Sequence, residues 1–449
     1  MTPIGAGILF LHCVAILVVP RRWALFTMVA GVLYLTQGMQ VQIGGFSLFA
    51  HRFLEIAGII RVLSRNEISF RNLTVIDRSF LFLYGYTTVV FLLRSNENQA
   101  YRIGATVDAL LTYFIFRGLL KDFEDFRWLL RSCVFLLVPY VALLAVERFT
   151  GSNGFAILGG VFEGGFSRGD RPRCFGSFRH PSLLGTLGAS FLPLYIALAF
   201  SWVDRMRAWL GIVLCLAIVV ASNSGGPLNA TAFALLGWML WRYRDRMSMV
   251  RRVSLVIIAS LALIMQAPIY YLPARLSAFS GGTGWHRSYL IEMFLQHWDQ
   301  WWLAGMPITG TADWFPYKIE ATGGADITNQ FIAYALDAGL VAMILFVVLL
   351  THAFRQVGRA IAGLRASTSV STDREFMMWG LGVVLGVHLA TWFGIIYFDQ
   401  TSALWLLHLA AIGNLAGVVD AERSDEVFSP ASLTGEPSSR IPRSVDQFS

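Results

Sequence analysis

Long apolar runs alternate with short, arginine-rich polar breaks along nearly the whole chain. A helix needs about 20 mostly apolar residues to cross the hydrocarbon core of a bilayer. Segments that fit fall near 4–19, 23–40, 46–63, 78–93, 103–120, 128–147, 181–202, 208–222, 227–242, 252–270, 328–351, 376–396 and 402–419. The pattern predicts an all-α integral membrane protein, a polytopic bundle of about 12–13 transmembrane helices. Segment 46–63 is the weakest, because Arg52, Glu55 and Arg61 interrupt it; a re-entrant or interfacial course there gives the lower count. The apolar start, Ile4 to Val19, lacks a preceding basic region and a small-residue cleavage site, so it reads as a first span.

Two stretches break the rhythm, and both are expected on the outer face: 148–180 and 271–327. They divide a single transmembrane domain, 1–419, that is followed by a polar, Ser- and Pro-rich segment, 420–449, expected to be a disordered cytoplasmic tail. The second stretch contains WHRSYLIEMFLQHWDQWW, in which Leu290, Phe294, Trp298 and Trp301 recur at helical spacing. This predicts a short interfacial helix with Trp at headgroup level, which is compatible with a lid over a lipid-linked substrate.

Charge then sets orientation. Arg21 and Arg22, Arg61 to Arg78, Arg117 to Arg131, Arg205 and Arg207, Arg242 to Arg252, and Arg355 to Arg374 fall in alternate loops. The intervening short loops near 41–45, 222–226 and 397–401 hold no Lys or Arg. Basic loops face the cytoplasm, so 148–180 and 271–327 lie outside. Only 14% of the residues are charged, against about 25% in a soluble domain. The net charge of +7 suits loops beside anionic lipid and gives no argument for nucleic acid. Cys13, Cys133, Cys174 and Cys215 are scattered, mostly in apolar runs, so neither a disulfide framework nor a metal site is expected. No phosphate-binding glycine loop, dinucleotide fingerprint or nucleophile elbow is present.

Against that sidedness, RGDRPRCFGSFRH at 168–180 stands out, with Arg168, Arg171, Arg173 and Arg179 on the outer side. Pairing with Glu163, Asp170 or lipid headgroups is one explanation. The other is an anionic ligand such as phosphate, which planar guanidinium groups grip in bidentate fashion. Arg287, in Trp285-His286-Arg287, and Lys318 are further outer-face cations that complete a positively charged cavity on this reading. Asp326 and Asn329 stand at the outer mouth of the span at 328–351. Asp337 is expected about three turns in, where an acid is costly unless paired. Ser222 to Pro227 reads as a small-residue turn, with tight packing or an amide-lined anion site as its alternatives. Asp108, His388 and His408 are further buried polar candidates.

Together these segments resemble the O-antigen ligase and polymerase superfamily of bacterial envelope membrane proteins. Arg173-Cys-Phe-Gly-Ser-Phe-Arg179-His180-Pro-Ser resembles the family's Arg-x-x-Gly-x-Phe-x-x-Pro-Asn segment before a span. Ser222 to Pro227 is similar to its small-residue turn, and Trp285 to Glu292 followed by Gly305 to Gly310 is similar to its large outer loop, with Arg287 at a functional arginine. Thr328-Asn329-x-x-Ile332 and Asp337-x-Gly339-Leu340 are similar to the family's His-Asn-x-x-Leu and Glu-x-Gly-Leu. The resemblance covers roughly 150–350, with Thr328 in place of the family's His and Ser182 in place of its Asn.

The resemblance implies cofactor- and metal-independent glycosyl transfer from undecaprenyl-pyrophosphate-linked oligosaccharide, at the outer face of the inner membrane. A polymerase fits better than a ligase because Thr328 cannot act as that His. The catalytic residues so implied are Arg173, Arg287 and Asp326. Arg171, Arg179, His180, His286, Lys318, Asn329 and Asp337 would bind substrate. Membrane lipid and other polysaccharide assembly or export proteins are the implied partners. A ligase-like transferase, a non-catalytic relative and a flippase are the alternatives.

Overall fold

The computed structural model describes all residues except 44–45, 96–97, 162, 165, 169–170, 201–203, 273, 276–283, 317–322, 368–371 and 428–449. Every apolar run of the sequence contains a helix. These are α1 (Pro3–Val18), α2 (Arg21–Tyr34), α3 (Ala50–Ser64), α4 (Val75–Arg94), α5 (Gln99–Leu119), α6 (Phe123–Thr150), α7 (Pro181–Ala199), α8 (Arg205–Ser222), α9 (Gly225–Met239) and α10 (Met247–Ile264). The outer segment adds α11 (Gly284–Gln296) and the short α12 (Trp298–Trp301), and the chain closes with α13 (Gln330–Ala366), α14 (Thr372–Trp392) and α15 (Asp399–Val427). Among the described residues, eight helical stretches are long and apolar enough to cross a membrane, counting 225–264 as one. The protein is an all-α, multi-pass membrane protein.

Segment 46–63 departs from expectation. Its start pairs with the preceding residues in an antiparallel hairpin, β1 (Gln40–Ile43) with β2 (Phe46–Phe49), and helix begins only at Ala50. The interrupting charges each find a partner on another element. Arg52 grips Asp108 of α5 at 2.9 Å, Glu55 accepts from Thr112 at 2.8 Å, and buried Arg61 pairs with Glu67 at 3.0 Å. Arg61 also donates to the carbonyls of Ile16 and Val19 at the end of α1. Elsewhere the same rule holds. Asp125 of α6 takes Arg21 and Arg22, and Asp77 of α4 takes Arg117 and Tyr113 of α5. A charge away from water is tolerated when paired and hydrogen-bonded.

The centre is α7, which packs against α8, α9 and α14. Its residues are buried throughout except Ile196 and Ala199. Around it, α13 packs on α4, α14 and α15, and α5 packs on α3 and α15. The last helix continues through Ala421–Val427, past the expected tail boundary at 420; Glu422 there binds Arg374 of α14 at 2.9 Å, and 428–449 lies outside the described residues.

Two expectations for the stretch read from sequence as outer, and for the helix that follows it, are corrected. The stripe Leu290, Phe294 and Trp301 is not laid against headgroups. It is buried in a separate small core with Trp314, Phe315, Ile327 and Ile332, because the returning chain covers it. Trp298, the fourth member of the stripe, is 58% exposed, and Trp302 and Leu303 are exposed beside it. Nor does Asp337 sit deep in an unbroken helix. Non-helical backbone at Ala338 and Gly339 (φ +78°) splits α13 into a short outer piece and a long one. A Cβ at Gly339 would meet the Leu303 carbonyl oxygen at 2.4 Å, so only glycine fits both the backbone angle and the approach.

Candidate anion-binding site

The segment before α7 is held rigidly from several sides. Phe175 and Gly176 donate their amides to the Glu147 carboxylate of α6 at 2.9 and 3.0 Å. Asn153 donates to the Gly176 carbonyl at 2.7 Å, and the Cys174 amide to Ala221 at 3.0 Å. Gln400 of α15 donates to the Ser177 carbonyl at 2.8 Å. His180 then caps α7, its Nδ1 accepting from the Ser182 amide at 3.1 Å with Pro181 at the first helical position. The β-hairpin β3 (Phe166–Arg168) and β4 (Arg171–Arg173) leads into this anchored stretch.

Arg173, at the end of β4, reaches the α8–α9 turn, donating through Nη2 to Ser224 Oγ at 3.3 Å. Ser224 Oγ in turn lies 2.6 Å from Ser182 Oγ, so its hydroxyl is engaged sideways and gives α9 no side-chain cap. The first amides of a helix without a side-chain cap, beside fixed cations, form a ready anion site. Arg287 of α11 approaches the same turn from the outer segment. A Cβ on Gly226 would lie 3.6 Å from Arg287 Nη2, and one on Gly394 would lie 2.7 Å from Arg287 Cζ. Two glycines thus make room for one half-buried guanidinium, which lies over the α14–α15 loop. Arg173 and Arg287, distant in sequence, converge on Ser224–Gly226.

The remaining candidates take distinct places. Arg179 pairs through Nε with Asp399 at the start of α15, at 2.8 Å, and is 48% exposed. His286 is buried, stacks on Phe315, and places Nε2 3.0 Å from the Asp326 carbonyl oxygen and 3.9 Å from its carboxylate. A carbonyl only accepts, so Nε2 carries hydrogen there and is not the atom to take a proton. The Asp326 carboxylate, 48% exposed, is the better-placed base. Asn329 is engaged as the N-cap of α13, accepting from Phe331 and Ile332. Gln330, next to it, accepts from the Tyr397 amide at 2.8 Å and ties α13 to the α14–α15 loop. Thr328 Oγ1, where the family resemblance expects His, is buried with no hydrogen-bond partner among the described residues.

Asp337 stands apart from this group in a different pair, 2.6 Å from Arg102 of α5. Arg94 and the Met306 amide donate to the neighbouring Leu336 carbonyl at 2.7 and 2.9 Å, and the Leu340 amide donates to Trp302 at 2.8 Å. The geometry gives Asp337 a structural partner at the break. Lys318 lies outside the described residues, as does the side chain of Arg171, whose backbone pairs with Arg168 in the hairpin. On the outer segment, the Tyr271 phenol donates to Glu292, which pushes its pKa up to about 12. Among the described residues no group of His, Cys, Asp and Glu is placed to hold a metal ion.

Sequence reasoning marked the turn Ser222–Pro227 as tight packing or an anion site and Ser182 only through the family resemblance, and it missed Gly394 and Asp399. Asp399 did leave a signal, an acid in a short loop, 397–401, that holds no Lys or Arg. A scan of protein families finds no family model that matches the chain, and no curated protein matches it.

Proposed function

We propose that the chain is a membrane glycosyltransferase of the O-antigen or exopolysaccharide polymerase type. It joins undecaprenyl-pyrophosphate-linked oligosaccharide repeats at the outer face of the bacterial inner membrane, with the basic loops and C-terminal tail in the cytoplasm. The observation that carries this reading is the convergence of Arg173 and Arg287 on the uncapped turn Ser224–Gly226. An acceptor sugar hydroxyl forms a bond to the anomeric carbon, and the bond from that carbon to the pyrophosphate oxygen breaks. Its electron pair leaves with the lipid pyrophosphate, whose growing charge the two guanidinium groups stabilise; fixed donors in a water-poor site do this well. The hydroxyl proton passes to the Asp326 carboxylate, and such general-base help is worth about 10²–10⁴-fold. Arg179, held by Asp399, and the capped His180 shape the rim.

A flippase is the second reading, and the break in α13 favours it, since transporters build sites from interrupted helices. Against it, the Leu336 carbonyl and the Leu340 amide at this break are already bonded to protein.

The test is gene deletion followed by complementation and gel analysis of surface polysaccharide. The polymerase reading expects single unpolymerised repeats on deletion. It expects no rescue by Arg173→Ala or Arg287→Ala at normal expression, and partial rescue by Lys, which lacks the bidentate fork. Normal polymer from well-expressed R173A overturns the assignment. Full-length polymer left on the carrier lipid identifies a ligase, and substrate trapped on the inner leaflet a flippase.

A further inference from the structure

The far end of α13 carries a second cationic feature that no step of glycosyl transfer uses. Arg355 and Arg359 stand one turn apart on this helix, about 40 Å along its axis from Asn329. Thr351, Phe354, Gly358 and Ala362 share their face, and all six residues are exposed. With Arg251 of α10 they line a cleft of about 560 Å³, within the range of small-ligand sites. Arg355 and Arg359 also border a recess of about 90 Å³ with Val75, His352 and Gln356. Neither α10 nor α13 beyond Asp337 contains an acidic residue. None of the three arginines forms an ion pair with a described residue. Like charges one turn apart repel, so the arrangement is uncompensated within these helices.

The walls of the cleft indicate what compensates it. A Cβ on Gly358 would touch nothing within 4 Å, so the floor is open. No residue of α10 is buried, and Leu255, Val256 and Ile258, one to two turns beyond Arg251 along that helix and outside the cleft lining, are exposed. A soluble anion would leave these apolar side chains uncovered, whereas an acyl chain running from the cleft along α10 covers them. Basic pockets between membrane helices hold anionic headgroups in this way.

We propose that the α10–α13 cleft binds an anionic phospholipid bearing two phosphates. Arg355 and Arg359, about 6 Å apart along the axis, take the phosphates with Arg251, and acyl chains lie along α10. The site is independent of the polymerase reading and survives its failure.

The test uses full-length protein in detergent, with tetraoleoyl cardiolipin as probe, retained lipid counted by native mass spectrometry, and dioleoyl phosphatidylcholine as control. Cardiolipin is expected to bind in preference. R355Q/R359Q should weaken it roughly twenty-fivefold, at about fivefold per arginine. G358L, which fills the floor without touching the core, should weaken it as well. R71Q/R423Q removes the same charge from exposed positions elsewhere and should leave binding unchanged. Equal loss in that control means diffuse surface attraction and overturns the site. Undiminished binding in R355Q/R359Q overturns it too, as does equally strong competition by soluble pyrophosphate.

Discussion

Helices α7 and α10 are nearly the same length, 19 and 18 residues, and both are apolar enough to be read as spans. Yet nearly all of α7 is buried, and none of α10 is. The difference lies in side-chain size along one face. In α7, Ser182, Gly185, Thr186, Gly188, Ala189 and Ser190 let neighbours approach to backbone distance. A Cβ on Gly185 would meet Ser222 Oγ at 2.5 Å, and one on Gly188 the Cys215 carbonyl at 2.4 Å. In α10, Val253, Leu255, Val256, Ile257 and Ile258 present branched chains and no glycine. Between membrane helices apolarity gives no preference for protein over lipid, so close packing through small residues decides which helix becomes the centre.

This contrast can be broken directly. Gly188→Leu is expected to have the largest effect: its side chain would meet a backbone carbonyl that cannot yield. Overpacking of that kind costs about 3 kcal/mol or more. Size-exclusion of detergent-solubilised protein should show no monodisperse peak; a normal peak with wild-type melting would refute the packing argument. Asp77→Ala follows, at about 3–5 kcal/mol, because it strands Arg117 in a buried site. A fall in melting temperature measures it. Glu147→Ala removes both acceptors of the Phe175 and Gly176 amides, at about 2–3 kcal/mol, and should also displace Arg173. On the polymerase reading proposed above, polymer length should therefore drop in E147A even where the protein stays folded. The smallest effect is expected of Ala259→Leu on α10, within about 0.5 kcal/mol. A large loss there would mean that α10 packs against something after all.

The same contrast explains what was legible in the sequence. Each apolar run marks a helix because membrane thickness imposes its length. What hydropathy leaves out is partnership. Arg52, Glu55 and Arg61 weaken 46–63 as a span on paper, whereas in the fold Asp108, Thr112 and Glu67 absorb them. Asp337 reads from sequence as a deep acid that either serves substrate or is paired to a neighbouring helix, and in the fold Arg102 of α5 is its partner. Leu290, Phe294 and Trp301 carry helical spacing, but spacing does not say whether lipid or the returning chain covers the stripe. Within the candidate site, Arg173 and Arg287 were visible as cations in segments that the loop charges place, as an expectation, away from the cytoplasm. Their meeting point was not, because Ser224, Gly226 and Gly394 are small residues whose value lies in what they leave open.

The break at Ala338–Gly339 has a consequence for how this protein can change over time. Its two open backbone positions are closed by the outer segment itself, Met306 to Leu336 and Trp302 to Leu340. The outer segment is therefore spliced into a membrane helix and is no detachable ornament. A shortened chain lacking 284–327 would leave the Leu340 amide without its acceptor and the Leu336 carbonyl with Arg94 alone, so residues 302–306 must be kept in any trimming. Tolerance to insertion and deletion should be concentrated away from that splice.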